Sequence, residues 1–548
     1  MNGLLPLIPF LPLLAALALV RPGWLRSAFV AGSVAPALLA IMAAIAGPQE
    51  PLQLDWLLLG MTFGLDPLGS AVLGLAGTLW LAAALGSLPL LDGDNGRRYA
   101  VSFLLTLAGN LGLVVSQDIA GFYCWFALMT FAAYGLVLHE GTAEARRAGR
   151  AYLALAVGGE LLLLAGLFTL AAQAGNPLMM DLPAVYAGLE YPLVTASLIL
   201  AGFAVKMGVV PLHVWLPLAH PAAPVPASAV LSGVMLKAGL LGWLRLVPSE
   251  ASVPLEPGLI LVGLGLAGAY LAALMGCLQA RPKTVLAYSS VSQMGLLTLL
   301  VGLLLAGFGE AEVLVGAIAL FAVHHGLAKA ALFFAVPVLK AGHRGLAVLS
   351  LLPALALIGA PLTTGAVAKA VYKDAVPDSL VVWVSLSSIT TGLIMLRFMA
   401  LTWPRKSRPE VPARSALVAW GLALFAALWV PWWLAGSDWM AYILRPANLL
   451  DASWPLVAAV VIALAAMRGL RPWPLIPEGD LIGPFERAAT RLRALVRRGL
   501  PGSDSQAETP VWPREREPVA EPRFGVAVLL MLGLVLALTA LVTFLGGA

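Results

Sequence analysis

The chain has 548 residues, 60% hydrophobic and only 11% charged, with a mean hydropathy of +0.92. That little polar side chain cannot cover a water-soluble surface of this length, and apolar runs of about 18 residues or more indicate transmembrane helices. The runs do not alternate in polarity as barrel strands would. The net charge of +5 sits mostly in short loops, which points to membrane topology and not to nucleic acid. The fold class is therefore an all-α polytopic membrane protein.

In chain order, about sixteen spans are expected: 3–20, 27–46, 67–91, 99–116, 119–138, 151–172, 192–210, 226–246, 257–279, 284–305, 312–339, 347–373, 379–402, 414–434, 454–468 and 525–546. The first stretch, "MNGLLPLIPFLPLLAALALV", has no basic n-region and no small-residue cleavage site, so it reads as a retained helix. The loops "RPGWLR", "HEGTAEARRAGR", "QARPK", "KAGHRG" and "PRKSRPEVPAR" follow odd-numbered spans and carry basic residues. Loops after even-numbered spans are acidic or neutral, with Asp181 and Glu190, Glu310 and Glu312, and Asp374 and Asp378. Basic loops stay cytoplasmic, so both termini are expected outside a bacterial cytoplasmic (inner) membrane. After the fifteenth span, Leu481, Phe485, Ala488, Leu492 and Leu495 fall at helical spacing opposite arginines. Residues 481–500 thus suit an amphipathic surface helix, with an ordinary basic loop as the alternative. Residues 501–523 form a polar, proline-rich tether, and 525–548 carry the last span.

Several spans hold ionisable residues where lipid cannot solvate them. Lys206 and Lys237 are central in theirs, Lys329 lies in a later span beside His324 and His325, and Lys369 follows Pro361. Glu160 is an acid well inside the sixth span. A charge at mid-bilayer costs roughly 2.5–3.5 kcal/mol on insertion scales, so such groups face a protein interior or a wet cavity and mark ion paths. The bland alternative, a lysine that only ties helices together, weakens with each further amine. Arg397, near a helix end, is expected to snorkel.

Prolines interrupt two spans. "KMGVVPLHVWLP" places Pro211 and Pro217 after Lys206, and "IGAPLTTGAVAKA" places Pro361 and Gly365 before Lys369. Broken helices at membrane depth line sites or cavities. The breaks lie five helices apart, an odd number, so a repeat of that length inverts. The expected organisation is 1–98 N-terminal helices, 99–246 first repeat, 257–402 second repeat and 403–480 C-terminal helices. "GLGLAG", Gly263 to Gly268, mimics a dinucleotide fingerprint but has no preceding strand, so it reads as small-residue helix packing. Cys124 and Cys277 have neither metal-ligand nor disulfide spacing. No cofactor or metal motif is found.

"FAVKMGVVPLHVWLPLAHPAAPVPASAVLSGVMLKAG" resembles the proton-translocating, antiporter-like subunits of respiratory complex I and of Mrp-type multisubunit sodium/proton antiporters. "FGLDPLGSAVL", "KTVLAYSSVSQMG", "HHGLAKAALFF" and "IGAPLTTGAVAKA" extend the resemblance in order, over about residues 60–400. In appearance the chain is closest to the D-type component of the Mrp complexes. The resemblance implies a fourteen-helix core with inverted five-helix repeats, broken seventh and twelfth helices, and a mid-membrane line of charged groups. On this basis the proton path would include Lys206, His213, His220, Lys237, His325, Lys329 and Lys369. His324 and Glu160 join them as candidates from their positions in the spans.

Three positions depart from the family pattern. Ala127 stands where a fifth-helix glutamate pairs with the seventh-helix lysine, which makes Glu160 the candidate replacement. Leu218 stands where many relatives have an acid, and Gln293 where histidine is common. The leading expectation is a proton-conducting subunit of a multisubunit cation (sodium)/proton antiporter, with other membrane subunits as partners. The alternatives are an energy-coupling subunit of a hydrogenase, complex I-like or inorganic-carbon uptake complex, and a decayed-channel assembly scaffold.

Overall fold

The computed structural model describes residues 2–21, 23–93, 95–249, 255–404, 409–443, 445–469 and 475–479. The amphipathic helix, tether and last span expected at 481–548 lie outside the described residues. The chain opens with α1 (Leu7–Ala18) and α2 (Leu25–Ala46). A hairpin, β1 (Gln49–Leu54) and β2 (Met61–Leu65), precedes α3 (Pro67–Ser87), α4 (Gly96–Val115), α5 (Ile119–Val137) and α6 (Ala143–Ala174). Next come α7 (Leu182–Ala187), α8 (Pro192–Met207), α9 (Trp215–Ala222), α10 (Val225–Val230) and, after a π-helical turn at Leu231–Met235, α11 (Leu236–Leu246). The second half comprises α12 (Glu256–Cys277), α13 (Pro282–Leu305), α14 (Ala311–Lys340), α15 (Arg344–Ile358), α16 (Thr364–Ala375) and α17 (Asp378–Thr402). Then follow α18 (Arg414–Ala435), α19 (Ser437–Ile443) and α20 (Pro446–Gly469).

Twelve helices among the described residues are long and apolar enough to cross a membrane, and α1, α8 and α15 are shorter apolar helices. These fifteen coincide in position with the first fifteen expected spans, except that the twelfth, expected over 347–373, divides into α15 and α16 at a break, and the last is longer than expected, at Pro446–Gly469. The caps follow local chemistry. Asp66, Asp118 and Thr142 each accept from a first-turn amide, of Gly69, Gly121 and Ala145. Pro67, Pro192 and Pro282 open α3, α8 and α13, where a missing N–H costs nothing.

The hairpin lay outside every expected span. Leu52 pairs with Phe63 and Leu54 with Met61, and a bulge lies between Gln49 and Leu52. Asp118 binds this hairpin to the top of α5: its Oδ2 accepts from Thr62 N at 2.7 Å and its Oδ1 from Gly121 N at 2.7 Å.

Helix α13 is buried along the whole of its apolar window and forms the centre of the second half. Its packing explains the glycines. A Cβ on Gly265 of α12 would stand 2.7 Å from the Gly295 carbonyl, and one on Gly302 of α13 would stand 2.7 Å from the Gly258 carbonyl. The sequence "GLGLAG" is thus part of a close helix–helix seam, as small-residue packing predicts. Cys124 and Cys277 are both free.

Candidate functional site

Both expected helix breaks are present, and left-handed glycines make them. Gly208 (φ +70°) ends α8 directly after Met207, and Gly359 (φ +84°) ends α15. Non-glycine residues rarely adopt this conformation. Pro217 does not break a helix; it lies in the first turn of α9, where its missing N–H is tolerated. The first interruption is the stretch between Met207 and Trp215.

Lys206 sits in the last turn of α8, buried. Its Nζ donates to Thr130 Oγ1 at 3.2 Å and to Tyr152 Oη at 3.3 Å, and it lies 5.7 Å from the centre of the Phe126 ring. Glu160 lines the same cavity, which leaves about 20 Å³ open to water, room for about one molecule. Glu160 is only 5% exposed; neither carboxylate oxygen is within close hydrogen-bond distance of a partner among the described residues, but the Thr130 and Tyr123 hydroxyls act on it. The structure therefore brings Glu160 to Lys206 across a small gap, without a direct ion pair. Ala127 lies one turn from Thr130 on α5, on the edge of this cluster.

Lys237 is completely buried on α11. Its Nζ donates to the Ser232 carbonyl at 2.9 Å and lies 2.9 Å from His325 Nδ1. The π-helical turn immediately before α11 contains Ser232, whose hydroxyl meets that of Ser290 at 2.7 Å. If Lys237 donates as an ammonium, His325 carries its ring proton on Nε2. That buried Nε2 has no hydrogen-bond partner among the described residues. Lys329, one turn along α14, donates to the Leu286 carbonyl at 3.2 Å. Lys369 Nζ donates to the freed Ile358 carbonyl at 2.9 Å and to Ser388 Oγ at 2.6 Å. The break in α15–α16 thus supplies the acceptor for this amine.

These groups form two electrostatic clusters. Lys237, Lys329 and His324 all act on His325, His324 in turn feels Lys369, and His220 feels Lys329. Lys206 and Glu160 act on each other. The hydrogen bonds of Lys206 go to α5 and α6 and not to Lys237. His220 stacks on Phe333 at 4.8 Å, and neither ring nitrogen has a partner among the described residues. His213 is buried beside the Tyr288 ring, 6.1 Å between centres. Leu218 is buried, and Gln293 donates to Thr391 Oγ1 at 3.0 Å.

Sequence reasoning missed several members. Tyr152 falls eight residues before Glu160 on one helical stripe, a signal available in the sequence. Lys283, the last residue of "QARPK" and read there only as a topology signal, donates to the carbonyls of Pro221 (3.2 Å) and Ala223 (2.6 Å) and acts on His220. Arg245 pairs with Asp66 at 2.7 Å and donates to the carbonyls of Leu113, Val114 and Ser116. Arg397 does not simply snorkel: Nε and Nη2 donate to the Gln279 carbonyl at 3.0 and 2.9 Å, because α12 leaves that carbonyl unpaired at its end.

Known proteins resemble this chain in both sequence and fold. Residues 116–394, about half of the chain, match the family model described as NADH:quinone oxidoreductase/Mrp antiporter, TM. The chain is 33% identical to NADH-quinone oxidoreductase subunit N of Desulforudis audaxviator over 355 residues, which covers 60% of this chain and 68% of that one. It is 29% identical to hydrogenase-4 component B of Escherichia coli over 291 residues, 52% of this chain but only 43% of that protein. Among solved structures, a chain of the Mrp complex from Dietzia sp. superposes with a TM-score of 0.68 at 20% identity, covering 83% of this chain and 99% of that one. The fold likeness, the matched segment and the subunit N relative agree, and this multi-pass membrane protein belongs to the NADH:quinone oxidoreductase/Mrp antiporter transmembrane family.

Proposed function

We propose that the chain is a proton-translocating subunit of a multisubunit cation (sodium)/proton antiporter, carrying protons along Glu160, Lys206, His213, His220, Lys237, His324, His325, Lys329 and Lys369. The observation that carries this reading is the 2.9 Å contact between Lys237 and His325, fully buried and one helical turn from Lys329. Two amines and an imidazole this close cannot all be charged. A proton arriving on one therefore favours release from the next, and histidine suits the relay step. The units 99–246 and 257–402 would be the inverted repeats, each with one broken helix. Basic loops would face the cytoplasm of a bacterial inner membrane, with both termini outside. Lys283 and His220 would then take protons from the cytoplasmic side toward Lys329. The partners would be the other membrane subunits of the complex.

A second reading has its own support. The relatives named above are subunits of complex I and hydrogenase-4, so energy coupling in such an assembly would use the same path. An electron-driven complex would couple the path to partners that hold redox groups.

The test is proton movement in sealed vesicles that contain the full chain with its partner subunits. Lys237→Ala and Lys329→Ala should each cut transport about a hundredfold, the scale of removing a positioned proton-transfer group, with assembly retained. Undiminished transport in both assembled variants would overturn the reading. Sodium dependence of that transport separates the antiporter from the energy-coupling assembly.

A further inference from the structure

A second cavity opens beside the α15–α16 break, with about 440 Å³ open to water. Lys369 and Ser388 form its floor, Ala366 and Ala370 line one side, and Lys373 and Asp451 stand at its mouth. Asp374, Asp378 and Tyr442 complete the titratable groups that face it. The outer wall comes from α19 and α20, beyond the residues that match the family model. Lys373 Nζ donates to Asp451 Oδ2 at 2.6 Å.

Lys369 and Lys373 are four residues apart on α16, so they share a helix face and their charges repel. While Asp451 holds Lys373 at the mouth, that repulsion is partly cancelled. The Asp451 side chain is half exposed, at 52%. Lys373 is more sheltered, at 18%, but a pair with one partner this open to solvent stays near the about 0–1 kcal/mol of surface pairs, which makes it easy to open.

We propose that the Lys373–Asp451 pair is a switch at the mouth of a hydrated vestibule ending at Lys369. Closed, the pair holds the Lys373 ammonium away from the floor. Open, Lys373 turns inward, and its charge drives a proton from the Lys369 ammonium onto vestibule water. One N–H bond breaks, one O–H bond forms, and Lys369 is left as a neutral amine. Lys373 and Asp451 are positioning residues, and their role rests on the reading of Lys369 as a proton carrier.

The experiment combines thiol labelling with transport, using the full chain and its partner subunits in sealed vesicles. Ala370→Cys is introduced after Cys124→Ser and Cys277→Ser, and a membrane-impermeant thiosulfonate is added from each side in turn. The label should react from one side only. Adding Asp451→Asn should raise its rate about two- to fivefold, the population change that ~0.5–1 kcal/mol of pairing allows. The swapped pair, Lys373→Asp with Asp451→Lys, should return the rate to the parent value, which also controls for misfolding. Lys373→Gln should speed labelling yet slow transport, because the driving charge is gone. No reaction at Ala370→Cys, or an unchanged rate in Asp451→Asn, overturns the switch. Lys369→Gln separates the two ideas: if it leaves transport intact, the carrier reading fails, while labelling still reports whether the mouth opens and closes.

Discussion

Two hydroxyls and two aromatic faces surround Lys206, and its acid stands off across a water-sized gap. Among the described residues, only the Thr130 and Tyr123 hydroxyls and the Lys206 amine act on the buried Glu160 carboxylate, and a carboxylate this weakly partnered is costly to bury, so its presence points to service and not to support. If Glu160 replaces the acid absent at Ala127, the two positions are exchangeable: Ala127 lies one turn before Thr130 on α5, and Thr130 and Glu160 line the Lys206 cavity together. Glu160→Gln should lower vesicle transport at least about tenfold, within the range of a lost proton-transfer partner. Ala127→Glu on that background should recover most of it. A double variant no better than Glu160→Gln would mean that the two carboxylates reach different groups. This much of the site was legible: five rare charges in apolar spans announce themselves. Thr130 and Ser388 did not, because a Ser or Thr hydroxyl in a membrane helix usually bonds to its own backbone and gives no sequence signal of a longer reach.

At the level of elements, the second break depends on two glycines with different tasks. A Cβ on Gly365 would stand 1.6 Å from the Ala356 carbonyl oxygen, a backbone atom that cannot yield. A Cβ on Gly359 would stand 2.7 Å from Lys369 Cδ, a flexible stem, at a φ of +84° that costs about 1–2 kcal/mol for other residues. Gly365→Ala should therefore abolish the assembled protein, while Gly359→Ala should assemble and lose transport as Lys369 is displaced from Ile358 and Ser388. Extraction and gel filtration score the first outcome, and vesicle transport scores the second. Equal assembly of both variants would refute the distinction. The breaks were readable from Pro211 and Pro361, but their positions were not, since Gly208 and Gly359 end the helices ahead of the prolines. The β1–β2 hairpin was hidden for another reason. "QEPLQL" and "MTFGL" are short, and their pairing draws on Asp118 far along the chain, which no local pattern encodes.

Across the whole molecule, three distant pieces of chain meet at one face. Arg281 at the start of α13 pairs with Glu144 at the start of α6 and with Glu478, 3.2 Å away, in the segment after α20. Thr284 donates to Glu478 at 2.9 Å, Ile476 N donates to the Leu278 carbonyl at 3.1 Å, and Gly479 packs on Leu218 below the first break. The clasp thus ties the start of α6, the α12–α13 turn and α9, just after the first break, to the segment that follows α20. Burial raises Glu478 above the ordinary carboxyl value of 4.5, and the Arg281 guanidinium opposes that rise. The docked segment then binds more protons than the released one, so docking must weaken as pH climbs from 4.5 through the raised value. Hydrogen exchange at the Ile476 amide, corrected for the intrinsic effect of pH, should show protection falling over that window. Arg281→Gln should steepen the fall, because the ionised carboxylate would be left half-buried without its cation. Protection that rises with pH would instead mean that the Arg281 attraction outweighs desolvation, and that the clasp tightens as the carboxylate ionises.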